Sequence, residues 1–140
     1  MILFLNANVL FTASISPEGV SRALVGLSAM GSVLLASSPF AIDEARRNIA
    51  LKRTGHLSEM NEVLANIDRV GDAHPRLMAW AGRFVASKDA PILAAAIGAR
   101  ADVLVTGDRR HFGELFGRTV HGVQIEPPCV ALRLVLDSMS

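Results

Sequence analysis

Disulfide partners, tyrosines and an excess of either charge are all missing from this sequence. Its 140 residues include one cysteine, Cys129, which excludes an internal disulfide and a metal site built from several cysteines. A lone cysteine suits the reducing cytosol, so a cytoplasmic protein is expected. Lys and Arg number 14 against 13 Asp and Glu, a net charge of +1. Bulk charge therefore excludes a polybasic nucleic-acid binder, and any anionic ligand must meet a local patch.

Signals for export or membrane insertion are also weak. The apolar N-terminus has no basic residue and is interrupted by Asn6 and Asn8, which favours a buried strand over a signal peptide. The stretch 23–42 carries no charge, yet it contains Gly26, Gly31 and Pro39. A helix end, a glycine turn and a strand explain it better than a membrane span, and no membrane partner is expected.

Several common catalytic motifs are missing as well. The sequence has no glycine-rich phosphate loop ending in Lys-Ser or Lys-Thr. The four histidines, His56, His74, His111 and His121, have no partner at zinc-site spacing. With no tyrosine and a single tryptophan, readout of nucleic-acid bases by stacking is expected to be slight.

Apolar segments suited to strands alternate with segments of helical periodicity. Hydrophobic residues make up 51% of the chain, enough for one sizeable core, and we expect a single domain over 1–140. The alternation predicts an α/β fold with a mostly parallel sheet and helices on both faces. Strands are predicted at 2–5, 33–36, 67–70, 103–105 and 120–125, and helices at about 17–30, 40–52, 58–66, 75–80, 91–97, 109–116 and 128–136.

The segment from Asp89 to Asp108 organises the prediction. Asp89 stands at the N-cap position of an Ala-rich helix, and Val103–Val105 is an apolar run without alternation, as in a strand covered on both faces. Asp108 follows that strand. In open parallel sheets, functional sites lie just beyond the carboxyl ends of the strands.

Polar groups at several such ends predict a metal site. Asn6 follows the first strand, and Glu44 lies in the helix after the second strand. Asp89 begins the helix that precedes the fourth strand, and Asp108 follows that strand. Carboxylates that converge repel one another and need a cation, and oxygen ligands suit Mg²⁺ or Mn²⁺. Taken singly, each acid is explained as a helix cap or a solvated residue; their joint placement favours the metal. Asp102 lies at the other end of the strand and is expected to be structural.

Residues next to Asp108 supply further candidates. Thr106 is expected either to hydrogen-bond a carboxylate or the attacking water, or to be a β-branched strand residue only. Arg109 and Arg110 are candidates for binding substrate phosphates, with solvated helix charges as the alternative.

With these residues placed, the chain resembles PIN-domain proteins over nearly its whole length. FLNANVLF resembles the family's opening strand, SPFAIDEARRNI the segment with the second acid, and KDAPILAAAIGARADVLVTGDRRHF the third acid, the Ala-rich helix and the segment that ends in Asp108. The resemblance implies an α/β/α sandwich and a Mg²⁺- or Mn²⁺-dependent ribonuclease. Many small bacterial members are toxins that a protein antitoxin neutralises, so RNA and an antitoxin are the implied partners.

Position 6 departs from the family pattern, which has Asp where this chain has Asn6. The amide keeps one oxygen ligand and removes one negative charge, so weaker metal binding and slower hydrolysis are expected. Asn8 matches the family's usual Asn and is a candidate substrate-binding residue. Glu44, Asp89 and Asp108 remain as carboxylate ligands, with Asn6 as a weaker one and Thr106 beside them.

Three alternatives stay open at this point. The domain is either a nuclease, a catalytically degenerate module that binds RNA or protein, or a phosphatase acting on a small substrate. The apolar helices near 20–27 and around Trp80 suit the core or a homodimer face.

Overall fold

Six strands and eight α-helices build the chain. The structure is a computed structural model that describes residues 1–140. The strands are β1 (Ile2–Leu5), β2 (Leu34–Ser37), β3 (Ile67–Arg69), β4 (Val103–Val105), β5 (Thr119–Val120) and β6 (Val123–Glu126). The helices are α1 (Ala7–Ile15), α2 (Val20–Ala29), α3 (Pro39–Lys52), α4 (Leu57–Leu64), α5 (Pro75–Ala81), α6 (Ala90–Gly98), α7 (Arg109–Phe112) and α8 (Pro128–Ser138).

The strands form one sheet in the order β3-β2-β1-β4-β6-β5. All pairs are parallel except β5–β6, which is an antiparallel hairpin. From β1 the chain moves to β2 and β3, and from β4 it moves the other way to β6. Right-handed crossovers therefore place helices on both faces, and the direction reverses between β1 and β4. The predicted α/β fold with a mostly parallel sheet is confirmed.

The two central strands are buried on both faces. Leu3, Phe4 and Leu5 have no exposed surface, and neither do Leu104 and Val105. This explains why β1 and β4 read as continuous apolar runs and not as alternating ones.

Three details differ from the predicted elements. A helix, α1, begins directly after β1, because Asn6 caps it by accepting a hydrogen bond from the Ala7 backbone N–H at 2.7 Å. The helix predicted from about residue 17 begins at Val20. The predicted last strand is a hairpin whose turn, His121-Gly122, has positive φ at both residues (49° and 87°).

The uncharged stretch 23–42 is the end of α2, strand β2 and the start of α3, as predicted. No helix has both the length and the apolar character needed to cross a lipid bilayer.

Candidate metal site at the carboxyl edge of the sheet

The candidate site lies where the order of the sheet reverses, between β1 and β4. Leu5 pairs with Val105 at the carboxyl ends of these strands, and the Asn6 N–H donates to the Val105 carbonyl at 3.0 Å. In open α/β sheets a crevice forms at such a switch point, and a cleft is indeed lined here by Asn6 and Asp108. Asn6 and Thr106 are therefore neighbours by topology.

Thr106 is fully buried and holds the two asparagines in place. Its hydroxyl oxygen accepts from the side-chain amides of Asn6 at 3.0 Å and Asn8 at 3.3 Å, and from the Asp108 backbone N–H at 3.2 Å. Asn8 in turn accepts the Gly107 N–H at 2.8 Å. Gly107 and Asn8 pack closely, since a Cβ at Gly107 would lie in van der Waals contact with the Asn8 Oδ1, at 3.4 Å.

The orientation of both amides is fixed by these bonds. The Asn6 Oδ1 must face the Ala7 N–H and the Asn8 Oδ1 must face the Gly107 N–H, so both NH₂ groups point at Thr106. A hydroxyl oxygen has two lone pairs, yet three N–H donors surround this one, and it donates no hydrogen bond itself. The hydroxyl group is thus short of an acceptor for its own proton.

Asp108 is the N-cap of α7 and contacts His111 twice. Its Oδ1 accepts the His111 backbone N–H at 3.0 Å, and its Oδ2 lies 2.6 Å from the His111 Nδ1. Burial acts to raise the pKa of Asp108, but the hydrogen bonds and charge of His111, with the charge of Lys88, outweigh it and hold the pKa below its usual value. The lowered pKa favours the ionised, carboxylate form of Asp108.

Asp89 is in the opposite condition. It occupies the N-cap position of α6, as predicted, but its side chain makes no capping hydrogen bond. The residue is 8% exposed, and its Oδ2 is buried without any hydrogen-bond partner. Burial raises the pKa of Asp89, the charges of Lys88 and His111 oppose that, and the neighbouring Asp108 raises it further. A buried carboxylate oxygen with no partner is costly and calls for a ligand.

Asp89, Asp108 and His111 form a compact group. One ligand atom from each lies within 4.8 Å of the others. Glu44 does not complete such a group, although it lines the same cleft, a space of about 300 Å³. The polar residues that line this cleft are Asn6, Asn8, Glu44, Ser87, Lys88, Asp89 and Asp108.

Lys88 is the one basic residue that lines this cleft. Arg109 and Arg110 are exposed in the first turn of α7 and line neither this cleft nor the adjoining groove of about 550 Å³ that also borders Glu44 and Asp108. This lysine directly precedes Asp89 and was not among the phosphate-binding residues predicted from the sequence.

The donor set fits a divalent cation. Asp108 and Asp89, whose buried Oδ2 is unpaired, offer the oxygen ligands that Mg²⁺ and Mn²⁺ take, and Glu44 and the Asn6 amide line the same cleft. His111 adds a nitrogen that was not predicted. Its signal in the sequence is the D-x-x-H spacing, which places the third residue of a helix back on its N-cap.

Comparison of the sequence with models of known protein families and with curated proteins gives no match. Solved structures do match. VapBC2 from Rickettsia felis, solved bound to a DNA fragment from their promoter, aligns with a TM-score of 0.66 and 17% identity, over 91% of this chain and 98% of that one. PAE2754 from Pyrobaculum aerophilum gives a TM-score of 0.67 at 17% identity, over 98% and 99%.

FitAcB from Neisseria gonorrhoeae aligns with a TM-score of 0.58 and 21% identity, over 92% of this chain and 99% of that one. At such identities the likeness shows the fold. The PIN-like α/β architecture implied by the sequence resemblance is therefore confirmed.

Proposed function

We propose that this protein is a metal-dependent endoribonuclease of the PIN type, weakened by Asn6. The observation that carries the proposal is the Asp89–Asp108 pair, in which a buried carboxylate oxygen has no partner at the switch point of a parallel sheet. A carboxylate left in this state destabilises the protein, and binding a cation offsets that cost.

In this proposal Asp89, Asp108 and Glu44 hold Mg²⁺ or Mn²⁺, with the Asn6 amide oxygen as a weaker ligand. Such an ion, when bound, lowers the pKa of a coordinated water and neutralises charge on a phosphodiester. Lys88, on the rim of the cleft, neutralises a phosphate oxygen of the RNA. Arg109 and Arg110 bind phosphates farther along the strand, and Asn8, held by Thr106, contacts the substrate at the mouth of the cleft.

The surroundings of Asn6 are suited to a carboxylate. With Asp at position 6, one oxygen would still accept the Ala7 N–H, and the other would accept the proton of the Thr106 hydroxyl. The hydroxyl oxygen would then accept from two donors and donate to one acceptor, which satisfies it completely. This supports the view that the protein is a nuclease that has lost one metal ligand, and not a protein whose site evolved for a different reaction.

The test is to restore the acid. Asn6→Asp is expected to raise cleavage of single-stranded RNA in Mn²⁺ by at least about 10-fold, since even groups outside the ligand shell are worth about 10- to 100-fold. Chelation with EDTA should abolish the activity, and the double variant Asn6→Asp/Asp108→Asn should lack it. A restored protein that cuts no RNA, or cuts equally well in EDTA, would contradict the proposal, and hydrolysis of a phosphomonoester alone would favour the phosphatase alternative.

A second candidate function is supported by the fixed Asn6 amide. Its Oδ1 already accepts the Ala7 N–H and its NH₂ group donates to Thr106, so it offers little to an ion. A domain retained only for binding RNA or protein would not need a metal ligand at position 6. In that case Asp108→Lys leaves RNA binding by the natural protein intact, whereas the nuclease proposal expects that binding to change.

We further propose a protein antitoxin as partner in the cytoplasm. The fold is that of VapBC2 and FitAcB, and small domains of this type commonly act as toxins paired with an antitoxin. The acidic cleft would receive a basic side chain of such a partner, which would compete with the metal. A homodimer through α2 or the Trp80 region stays a prediction, and light scattering of the purified protein tests it.

A further inference from the structure

His111 is placed beside the two aspartates by a short helix that begins at Asp108. Its Nδ1 lies 2.6 Å from the Asp108 Oδ2, and its side chain is 27% exposed. Neighbouring ligands of an octahedral ion with bonds of about 2.1 Å lie about 3 Å apart. The imidazole and the carboxylate are therefore close to the spacing at which both contact one ion.

The second observation comes from the other side of the group. Asp89, on α6, contributes a carboxylate within 4.8 Å of both Asp108 and His111, and its Oδ2 is buried and unpartnered. This oxygen is not needed to cap its helix, since it makes no such bond. A hydrogen-bonded helix cap explains the Asp108–His111 contact, but it does not explain a third group converging on the pair.

From this arrangement we infer that the His111 imidazole is a direct metal ligand, together with Asp89 and Asp108, and that the site selects a divalent transition-metal ion such as Mn²⁺ over Mg²⁺. The inference rests on the proposed metal-dependent function. Mg²⁺ takes oxygen ligands almost exclusively, whereas an imidazole nitrogen favours transition metals. Asn6 sharpens this preference, because losing a carboxylate weakens a charge-dependent Mg²⁺ site while a neutral nitrogen donor is unaffected.

The test uses the natural protein with Mn²⁺ alone and no RNA. Pulsed EPR of the bound Mn²⁺ is expected to show coupling to a ¹⁴N nucleus, and labelling the histidines with ¹⁵N should convert that signal to the ¹⁵N pattern without any mutation. In His111→Asn the coupling should vanish and Mn²⁺ affinity should fall about 10-fold or more, with a smaller change for Mg²⁺. The matched control is His121→Asn, at an exposed turn whose positive φ Asn tolerates.

The outcomes separate the two proposals. Mn²⁺ that binds without nitrogen coupling, or a variant that loses Mn²⁺ and Mg²⁺ affinity equally, overturns the role of His111 and leaves the ribonuclease proposal standing. No site-specific Mn²⁺ binding at all overturns both. RNA cleavage by Asn6→Asp is measured separately, so a failure there does not decide the ligand question.

Discussion

Strand β4 carries an aspartate beyond each end, and the two are used differently. Asp102, before the strand, accepts the Ile2 N–H at 2.7 Å and donates its own N–H to the Ile2 carbonyl at 2.8 Å. This reciprocal pair fixes the start of β4 to the start of β1. Beyond the other end, Asp108 faces Asp89, whose buried oxygen has no partner.

The difference separates structural from functional acids. At the amino edge, a carboxylate hydrogen-bonds the neighbouring strand, and its contribution is to stability. At the carboxyl edge, two carboxylates and an imidazole converge, and one oxygen is left without a bond. Native proteins pair nearly all buried polar groups, so an unpartnered oxygen among converging carboxylates marks a place where a ligand is expected.

The largest expected effect on stability comes from the hydroxyl that joins β4 to β1 at the carboxyl edge. Thr106→Val leaves three N–H donors without their acceptor and should lower the free energy of unfolding by about 3 kcal/mol. Chemical denaturation measures this, with Thr106→Ser as the control that keeps the oxygen. If Thr106→Val loses no more stability than Thr106→Ser, the hydroxyl does not stabilise this edge of the sheet.

Cation binding should act on one end of β4 only. At a Mn²⁺ concentration of 100 times Kd, the natural protein should gain about 2.7 kcal/mol of stability. Thermal unfolding is expected to show this gain in Asp102→Asn, which starts from a lower stability because the bond to Ile2 is weakened, and to show none in Asp108→Asn. The comparison fails if the two variants respond alike to Mn²⁺.

The smallest effect is a gain in stability without metal. Asp89→Asn removes a buried, unpartnered charge and should raise the free energy of unfolding at neutral pH by about 1 kcal/mol, at the lower end of the cost of such a group. The pKa of Asp89 is raised in the folded state, so folding favours the protonated acid and the natural protein loses stability as pH rises from 3.8 through that raised pKa.

Unfolding measured against pH checks this sign. The advantage of Asp89→Asn should be full above the raised pKa and absent below pH 3.8, the ordinary pKa of the group. An advantage that is constant with pH would show that the charge of Asp89 is not its cause.

Local chemistry explains which parts of this structure were predictable. The placement of Asp89 and Asp108 follows from an Ala-rich helix and an apolar strand, both strong signals, and the topology of parallel strands does the rest. Helix α1 was missed because the apolar run Val9–Phe11 fits a strand or a helix equally well. The β5–β6 hairpin was missed because His121 stands where a type I′ turn usually has Asn or Asp.

Side-chain geometry was less accessible. Sequence reasoning placed Glu44 with the two aspartates, but the side chain that joins them at short distance is His111. This contact depends on the four-residue helix α7, in which the third residue, His111, lies against the N-cap residue Asp108. The periodicity of apolar residues in the sequence does not predict such a local contact. Thr106 was a candidate for one hydrogen bond, and its contact with three donors depends on amide orientations that only the folded chain fixes.

The most direct test of the site is to locate the ion. Anomalous diffraction from a crystal of the natural protein grown with Mn²⁺ should show a peak between Asp89, Asp108 and His111 at the carboxyl edge of the sheet. No peak should appear beside Asp102. A crystal saturated with Mn²⁺ that shows no peak at the three residues, or shows one only elsewhere, would contradict the account.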